Sequence, residues 1–165
     1  MNRKILFILA LSAAPFIFGS CNKADPSYTQ NNCVPNNTGI PTADEIASLQ
    51  AYLSSNSITA TLDSRGFFYQ VINPGSGPTP TLASTISFKY VGTLQSGVVF
   101  DQVQAPVTYP LAQLIKGWQY GLPLIQKGGT IKLYLPPTLG YGCGSPGGIP
   151  PGSNLIFNIE LTDVN

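Results

Sequence analysis

Histidine is missing from all 165 residues of this chain. Its absence excludes Ser-His-Asp and Cys-His catalytic machinery and every His-ligated metal site. Cysteine is almost as scarce. With three in total, Cys21, Cys33 and Cys143, a four-Cys zinc site cannot form. Charge is thin, at eight Lys and Arg against seven Asp and Glu. Seven scattered carboxylates do not suggest a paired-carboxylate hydrolase. No basic stripe or run of like charge marks a nucleic-acid surface, so nucleic acid is not an expected partner. The remaining residues call for no metal and no cofactor.

What is plentiful is glycine, proline and aromatic side chains: 17 Gly, 15 Pro, eight Tyr, eight Phe and one Trp. That composition favours turn-rich β structure over a helix bundle. The length suits one domain plus a tail. At the start, Arg3 and Lys4 precede an apolar run from Ile5 to Phe18, followed by Gly19-Ser20-Cys21. A basic start, a short apolar core and small residues at its end describe an export signal over residues 1–20. The run is too short for a comfortable transmembrane helix. Small residues before a cysteine resemble the bacterial lipobox, with Phe18 departing from its usual aliphatic residue. On that reading Cys21 becomes the first mature residue and is lipidated; cleavage nearby with a free cysteine is the alternative. Several acyl chains would hold the protein on a bacterial cell-envelope membrane, each buried methylene adding about 0.8 kcal/mol. The expected location is the outer membrane, facing the periplasm or the cell surface.

Residues 21–40 are polar and read as a flexible tether, since they cannot bury enough apolar surface to fold alone. Residues 41–60 form a helix and its connector. Thr42 and Glu45 have capping-box spacing, and Ile46, Leu49 and Leu53 fall on one face. Two uses fit that face: an arm for a dimer or partner, or a helix packed on its own domain. Cys33 and Cys143 likewise fit either a disulfide or two free thiols.

Residues 61–165 carry the domain. Arg65 to Ile72 reads as a first strand, ended by Asn73-Pro74-Gly75. Ile86, Phe88 and Tyr90 share one face of a second strand. Gln95-Ser96-Gly97 turns it into Val98 to Asp101. Ile131, Leu133 and Leu135 alternate with Lys132 and Tyr134; Leu155, Phe157, Ile159 and Leu161 alternate with Ile156, Asn158 and Glu160. Each strand has one apolar face, as in an antiparallel sheet packed on one side. Leu114 to Leu122 is the helical candidate among them, ended by Pro123. The expected class is α+β: a twisted antiparallel sheet wrapping one short helix. Pro136-Pro137 and Pro150-Pro151 bracket a glycine-rich loop that contains Tyr141. It fits a surface loop or a device that displays a hydroxyl over a pocket.

The motifs from Tyr90 to Leu161 carry a resemblance. In order they are Tyr90-Val91-Gly92-Thr93-Leu94, Gly97-Val98-Val99-Phe100-Asp101, Leu114-Ile115-Lys116-Gly117-Trp118, Gly121-Leu122, Leu135-Pro136-Pro137, Leu139-Gly140-Tyr141-Gly142, Ile149-Pro150-Pro151 and Leu155-Ile156-Phe157 continuing to Leu161. Their order and spacing, over roughly Gly66 to Val164, resemble the FKBP-type peptidyl-prolyl cis-trans isomerases. The resemblance implies an FKBP-like domain and a role for each matching residue. Trp118 would be the flat base under the substrate proline ring. Tyr90, Phe100 and Phe157 would be walls. Asp101 would be the one acidic group, orienting Tyr90, and Tyr141 would donate its hydroxyl to the carbonyl beside the proline. Ile115 would add a wall and a backbone amide for a substrate carbonyl. Leu114, Val107, Ile149 and Ser145 would complete the substrate-binding rim. Two departures stand out: the segment between Asp101 and Trp118 has no arginine to pair with Asp101, and Val107 stands where a phenylalanine is common. They bear on macrolide ligands more than on basic catalysis.

The X-Pro bond rotates over a barrier of about 18–20 kcal/mol because the amide is conjugated. At the twisted transition state conjugation is lost and the amide is less polar, so an apolar pocket binds that state better than the planar one. No nucleophile or proton carrier is required. The expected function is therefore a lipid-anchored prolyl isomerase acting on X-Pro segments of exported polypeptides. A binding module or chaperone of the same fold with little turnover is the alternative. A structural lipoprotein with an incidental pocket is the third reading.

Overall fold

The structure, a computed structural model, describes residues 38–144 and 146–165. The export signal, the lipidation site Cys21, nearly all of the tether, Cys33 and Ser145 lie outside the described residues.

Helix α1 (Ala43–Ser55) opens the described chain. Its start has a local cause. The Thr42 hydroxyl accepts from the Glu45 amide at 3.2 Å, and the Thr42 amide donates to Glu45 Oε2 at 2.8 Å. The capping box thus satisfies two donors that the first turn would leave orphaned. Six strands follow: β1 (Thr61–Leu62), β2 (Phe68–Asn73), β3 (Thr85–Leu94), β4 (Val99–Pro110), β5 (Thr130–Leu135) and β6 (Leu155–Val164). They form one sheet in the order β1-β2-β5-β6-β3-β4, and every neighbouring pair is antiparallel. The short helix α2 (Lys116–Gly121) lies between β4 and β5, flanked by 3-10 turns at Leu111–Gln113 and Leu122–Leu124. The helical segment predicted over Leu114 to Leu122 is therefore shorter, and Pro123 sits inside the turn that ends it.

Alternation sets the two faces of the sheet. Leu133, Leu135, Leu155, Phe157, Ile159 and Leu161 point into the main core with Phe88, Trp118 and Leu122. The opposite face is covered in part by α1. Leu49 and Leu53 pack there with Phe68, Tyr134 and Ile156. A sheet packed on one side was expected; Tyr134 and Ile156, the outward members of their alternation, are buried because α1 lies over them. The apolar stripe of α1 is thus used on its own domain.

Strand β4 runs to Pro110, well beyond Asp101. Proline at 106 and 110 is tolerated because β4 is an edge strand. Its pairing with β3 jumps from Phe88↔Val107 to Tyr90↔Val103, so the ladder bulges between them.

Helix α2 approaches the sheet closely because its sheet-facing positions are glycine. A Cβ on Gly117 would stand 2.3 Å from Leu135 Cδ1, and one on Gly121 would stand 2.6 Å from Leu133 Cδ1. The four-residue spacing puts both on one helical face.

Candidate functional site

The cavity between the sheet, α2 and β4 encloses about 350 Å³. Phe88, Tyr90, Val103, Val107, Tyr109, Gln113, Leu114, Ile115, Trp118, Tyr141 and Phe157 line it. Trp118 forms its base, 4% exposed. Three rings meet the indole nearly at right angles: Phe88 at 4.9 Å and 78°, Tyr90 at 5.1 Å and 85°, Phe157 at 5.2 Å and 88°. Edge-to-face packing of this kind suits the aromatic quadrupole and locks the rings against one another. The indole Nε1 is buried and has no hydrogen-bond partner among the described residues.

Each wall has a structural origin. Phe88 and Tyr90 are two apart on β3 and so face the same way. Phe157 comes from β6, where it pairs with Gly92. A Cβ at Gly92 would meet Phe100 Cζ at 2.7 Å and Phe157 Cε1 at 3.0 Å, so glycine leaves room for both rings. Phe100 then packs on Phe157 at 5.5 Å and 88°. It backs the wall and does not line the cavity.

The segment before α2 is pinned by Gln119, a buried polar residue. Its Nε2 donates to the carbonyls of Ala112 at 3.0 Å and Leu114 at 2.7 Å, while Lys116 Nζ donates to its Oε1 at 3.1 Å. These bonds set the backbone that presents Leu114 and Ile115. The Ile115 amide donates to no other group among the described residues.

Two phenols supply the polar edge. The Tyr90 hydroxyl donates to Asp101 Oδ2. Burial, and then that donation, raise its pKa above the ordinary tyrosine value. Tyr141 is 37% exposed, and burial followed by the field of Asp101 raises its pKa too. Both hydroxyls therefore keep their protons near neutral pH and act as donors. No ion pair among the described residues involves Asp101. No group of three His, Cys, Asp or Glu among the described residues could hold a metal.

Of the residues singled out in the sequence, Tyr90, Val107, Leu114, Ile115, Trp118, Tyr141 and Phe157 converge on the cavity. Asp101 reaches it through Tyr90. Ile149 is buried in the core at 4% exposure, outside the lining. Ser145 lies outside the described residues. Sequence reasoning missed Phe88, Val103, Tyr109, Gln113 and Gln119. The alternation Phe88–Tyr90 was a usable signal for the first. Val103 and Tyr109 alternate in step with Val107 along β4, so the same period-two signal was there for both. Cys143 is disulfide-bonded; the other two cysteines lie outside the described residues.

A deep aromatic cavity at one face of an antiparallel sheet, closed by a short helix, defines a class that known proteins share. The family model for FKBP-type peptidyl-prolyl cis-trans isomerases matches residues 77–162. The isomerase FkpA of Escherichia coli (strain K12) is 44% identical over 104 residues, 61% of this chain and 38% of that protein. The outer membrane protein MIP of Legionella longbeachae is 39% identical over 103 residues, 60% of this chain and 44% of that protein. The crystal structure of FkpA from Escherichia coli superposes with a TM-score of 0.65 at 39% identity, covering 74% of this chain and 60% of that one. The chain belongs to the FKBP-type peptidyl-prolyl cis-trans isomerase family. It spans less than half the length of either relative.

Proposed function

We propose that this chain accelerates cis-trans isomerisation of X-Pro bonds in exported polypeptides. The observation that carries the reading is the cavity itself: about 350 Å³, walled by rings around Trp118, with the Tyr141 hydroxyl and the Ile115 amide beside it as donors unengaged among the described residues. The substrate proline ring lies on Trp118 between Tyr90 and Phe157, with Phe100 holding Phe157 in place. Leu114 and Val107 flank it. The Ile115 amide holds a substrate carbonyl, and Tyr141 donates to the carbonyl next to the proline. Asp101 keeps the Tyr90 ring oriented by accepting a hydrogen bond from its hydroxyl. The apolar surroundings disfavour the planar, polar amide relative to the twisted one, which lowers the barrier without acid, base or metal.

The site serves in the cell envelope. The name of the Legionella longbeachae relative supports that location, and so does the pattern of basic residues, apolar run and small residues before Cys21. Lipidation of Cys21 would tether the domain to the membrane.

The test is the catalysed cis-to-trans rate on an X-Pro peptide, with proline-limited refolding of a protein substrate as the second assay. Uncatalysed isomerisation takes tens of seconds, so acceleration is easily resolved. A folded protein that binds the peptide and leaves its rate unchanged would transfer the assignment to a non-catalytic binding module.

A further inference from the structure

Helix α1 lies on the face of the sheet opposite the cavity, yet two of its side chains, Glu45 and Ser48, hydrogen-bond to the loop between β5 and β6. The Glu45 carboxylate takes the Thr138 amide on Oε1 at 3.0 Å. The Thr138 hydroxyl lies 2.8 Å from Oε1 and 2.9 Å from Oε2 and can donate to either. One turn further along α1, Ser48 Oγ accepts from Asn154 Nδ2 at 3.0 Å. Residues three apart share a helical face. Thr138 stands near the start of the loop from β5 to β6, and Asn154 stands at its end.

That loop carries Tyr141. The Gly140 and Gly142 amides both donate to the Pro137 carbonyl, at 2.9 and 2.8 Å, so residues 137–142 form one turn with Thr138 inside it and Tyr141 at its edge. The Gly152 amide donates to the Gly142 carbonyl at 2.9 Å and ties the returning half to the same turn. Six glycines between 140 and 152 leave the loop many accessible conformations, restricted by the buried side chains of Leu139 and Ile149 and by the disulfide at Cys143. Its placement thus depends on a few fixed points, and α1 supplies one near each end. The bonds to Glu45 involve a carboxylate, which makes them stronger than neutral ones.

We infer that α1 is a positioning element for the reaction, in which Glu45, supported by Ser48, holds the 137–142 turn so that the Tyr141 hydroxyl stays over the cavity. The inference rests on the isomerase reading above. It differs from a plain packing role because Leu49 and Leu53 supply the adhesion, whereas Glu45 touches the loop. Glu45 also caps α1, so the two duties must be separated.

Four variants of the full chain do so. Glu45→Ala removes brace and cap contact together; Thr138→Val removes a brace contact alone; Thr42→Ala removes cap contacts alone; Tyr141→Phe removes the hydroxyl that the brace serves. For each, kcat and KM on an X-Pro peptide, amide hydrogen exchange at residues 138–142 and the thermal midpoint are measured. Glu45→Ala should lower kcat by about three- to tenfold, the range of one net hydrogen bond, and speed exchange in the turn. Thr138→Val should do the same in smaller measure. Thr42→Ala should lower the midpoint and leave kcat and turn exchange unchanged. In the Tyr141→Phe background Glu45→Ala should cost no further kcat, because two residues acting as one unit are not additive. Equal losses in the two backgrounds, or unchanged exchange in the Glu45→Ala turn, would overturn the inference. If the wild type accelerates no peptide, the isomerase reading fails, and the exchange measurements still decide whether α1 braces the loop.

Discussion

At the scale of single residues, the site divides its work between area and one directed bond. Trp118, Phe88 and Phe157 supply apolar surface and hold one another edge to face. Tyr141 supplies a hydroxyl. Tyr141→Phe should therefore keep the fold and raise the barrier by about 1–2 kcal/mol, read as kcat on an X-Pro peptide at unchanged thermal midpoint. Full turnover in a folded Tyr141→Phe protein would remove that hydroxyl from the mechanism. The phenols also predict how the protein responds to alkali. Tyr134 is pushed up to about 12, chiefly by burial, and its hydroxyl donates to Gln70 Oε1 at 2.7 Å. A phenol whose folded pKa is raised binds its proton more tightly when folded. Its stabilisation is complete below the unfolded value of about 10 and is lost as pH rises through the folded value. The stability difference between wild type and Tyr134→Phe should stay constant up to about pH 9 and shrink above about pH 10, measured by denaturant titration across that range. A difference that shrinks on acidification instead would contradict this assignment.

At the scale of elements, α2 shows how glycine can favour a helix that intrinsic propensity disfavours. Glycine costs about 1 kcal/mol relative to alanine inside a helix. Gly117 nevertheless faces Leu135 at a distance that leaves no room for a methyl group. Gly117→Ala should therefore destabilise the protein by about 1–3 kcal/mol, overpacking outweighing propensity. It should also weaken peptide binding, since Trp118 is the next residue on the displaced helix. Chemical denaturation and peptide titration on the same sample check both. A stabilised Gly117→Ala protein would show that α2 can move outward freely. The loop after β5 makes the complementary point. Its prolines and glycines were legible as a turn-rich connection, open between a surface loop and a display of Tyr141, but its attachment to α1 was not legible.

At the scale of the whole molecule, one sheet serves two cores. The larger lies under α2 and forms the cavity; the smaller lies under α1 on the other face. Leu49 is fully buried there against the sheet. Leu49→Ala should cost about 2–5 kcal/mol and shift one cooperative transition. A second, earlier transition, seen by comparing far-ultraviolet circular dichroism with Trp118 fluorescence, would mean that α1 unfolds separately from the sheet.

The sequence alone determined the elements and most of the site. Period-two alternation around Phe88, Leu133 and Phe157 marked the strands and their inward faces, Thr42 and Glu45 marked the start of α1, and the family resemblance of the motifs from Tyr90 to Phe157 implied the aromatic set. The first two are local signals, written within a few residues by dihedral preference and side-chain direction. The tertiary structure decided what each face meets. It buried Ile149, carried β4 on to Pro110 so that Val103 and Tyr109 line the cavity, and turned the apolar stripe of α1 onto its own sheet. It also joined Glu45 to Thr138, 93 positions away. No periodicity encodes such a pairing. An amphipathic helix specifies that an apolar face must be covered; which surface covers it depends on shape and position across the whole chain, and these exist only once the sheet has formed.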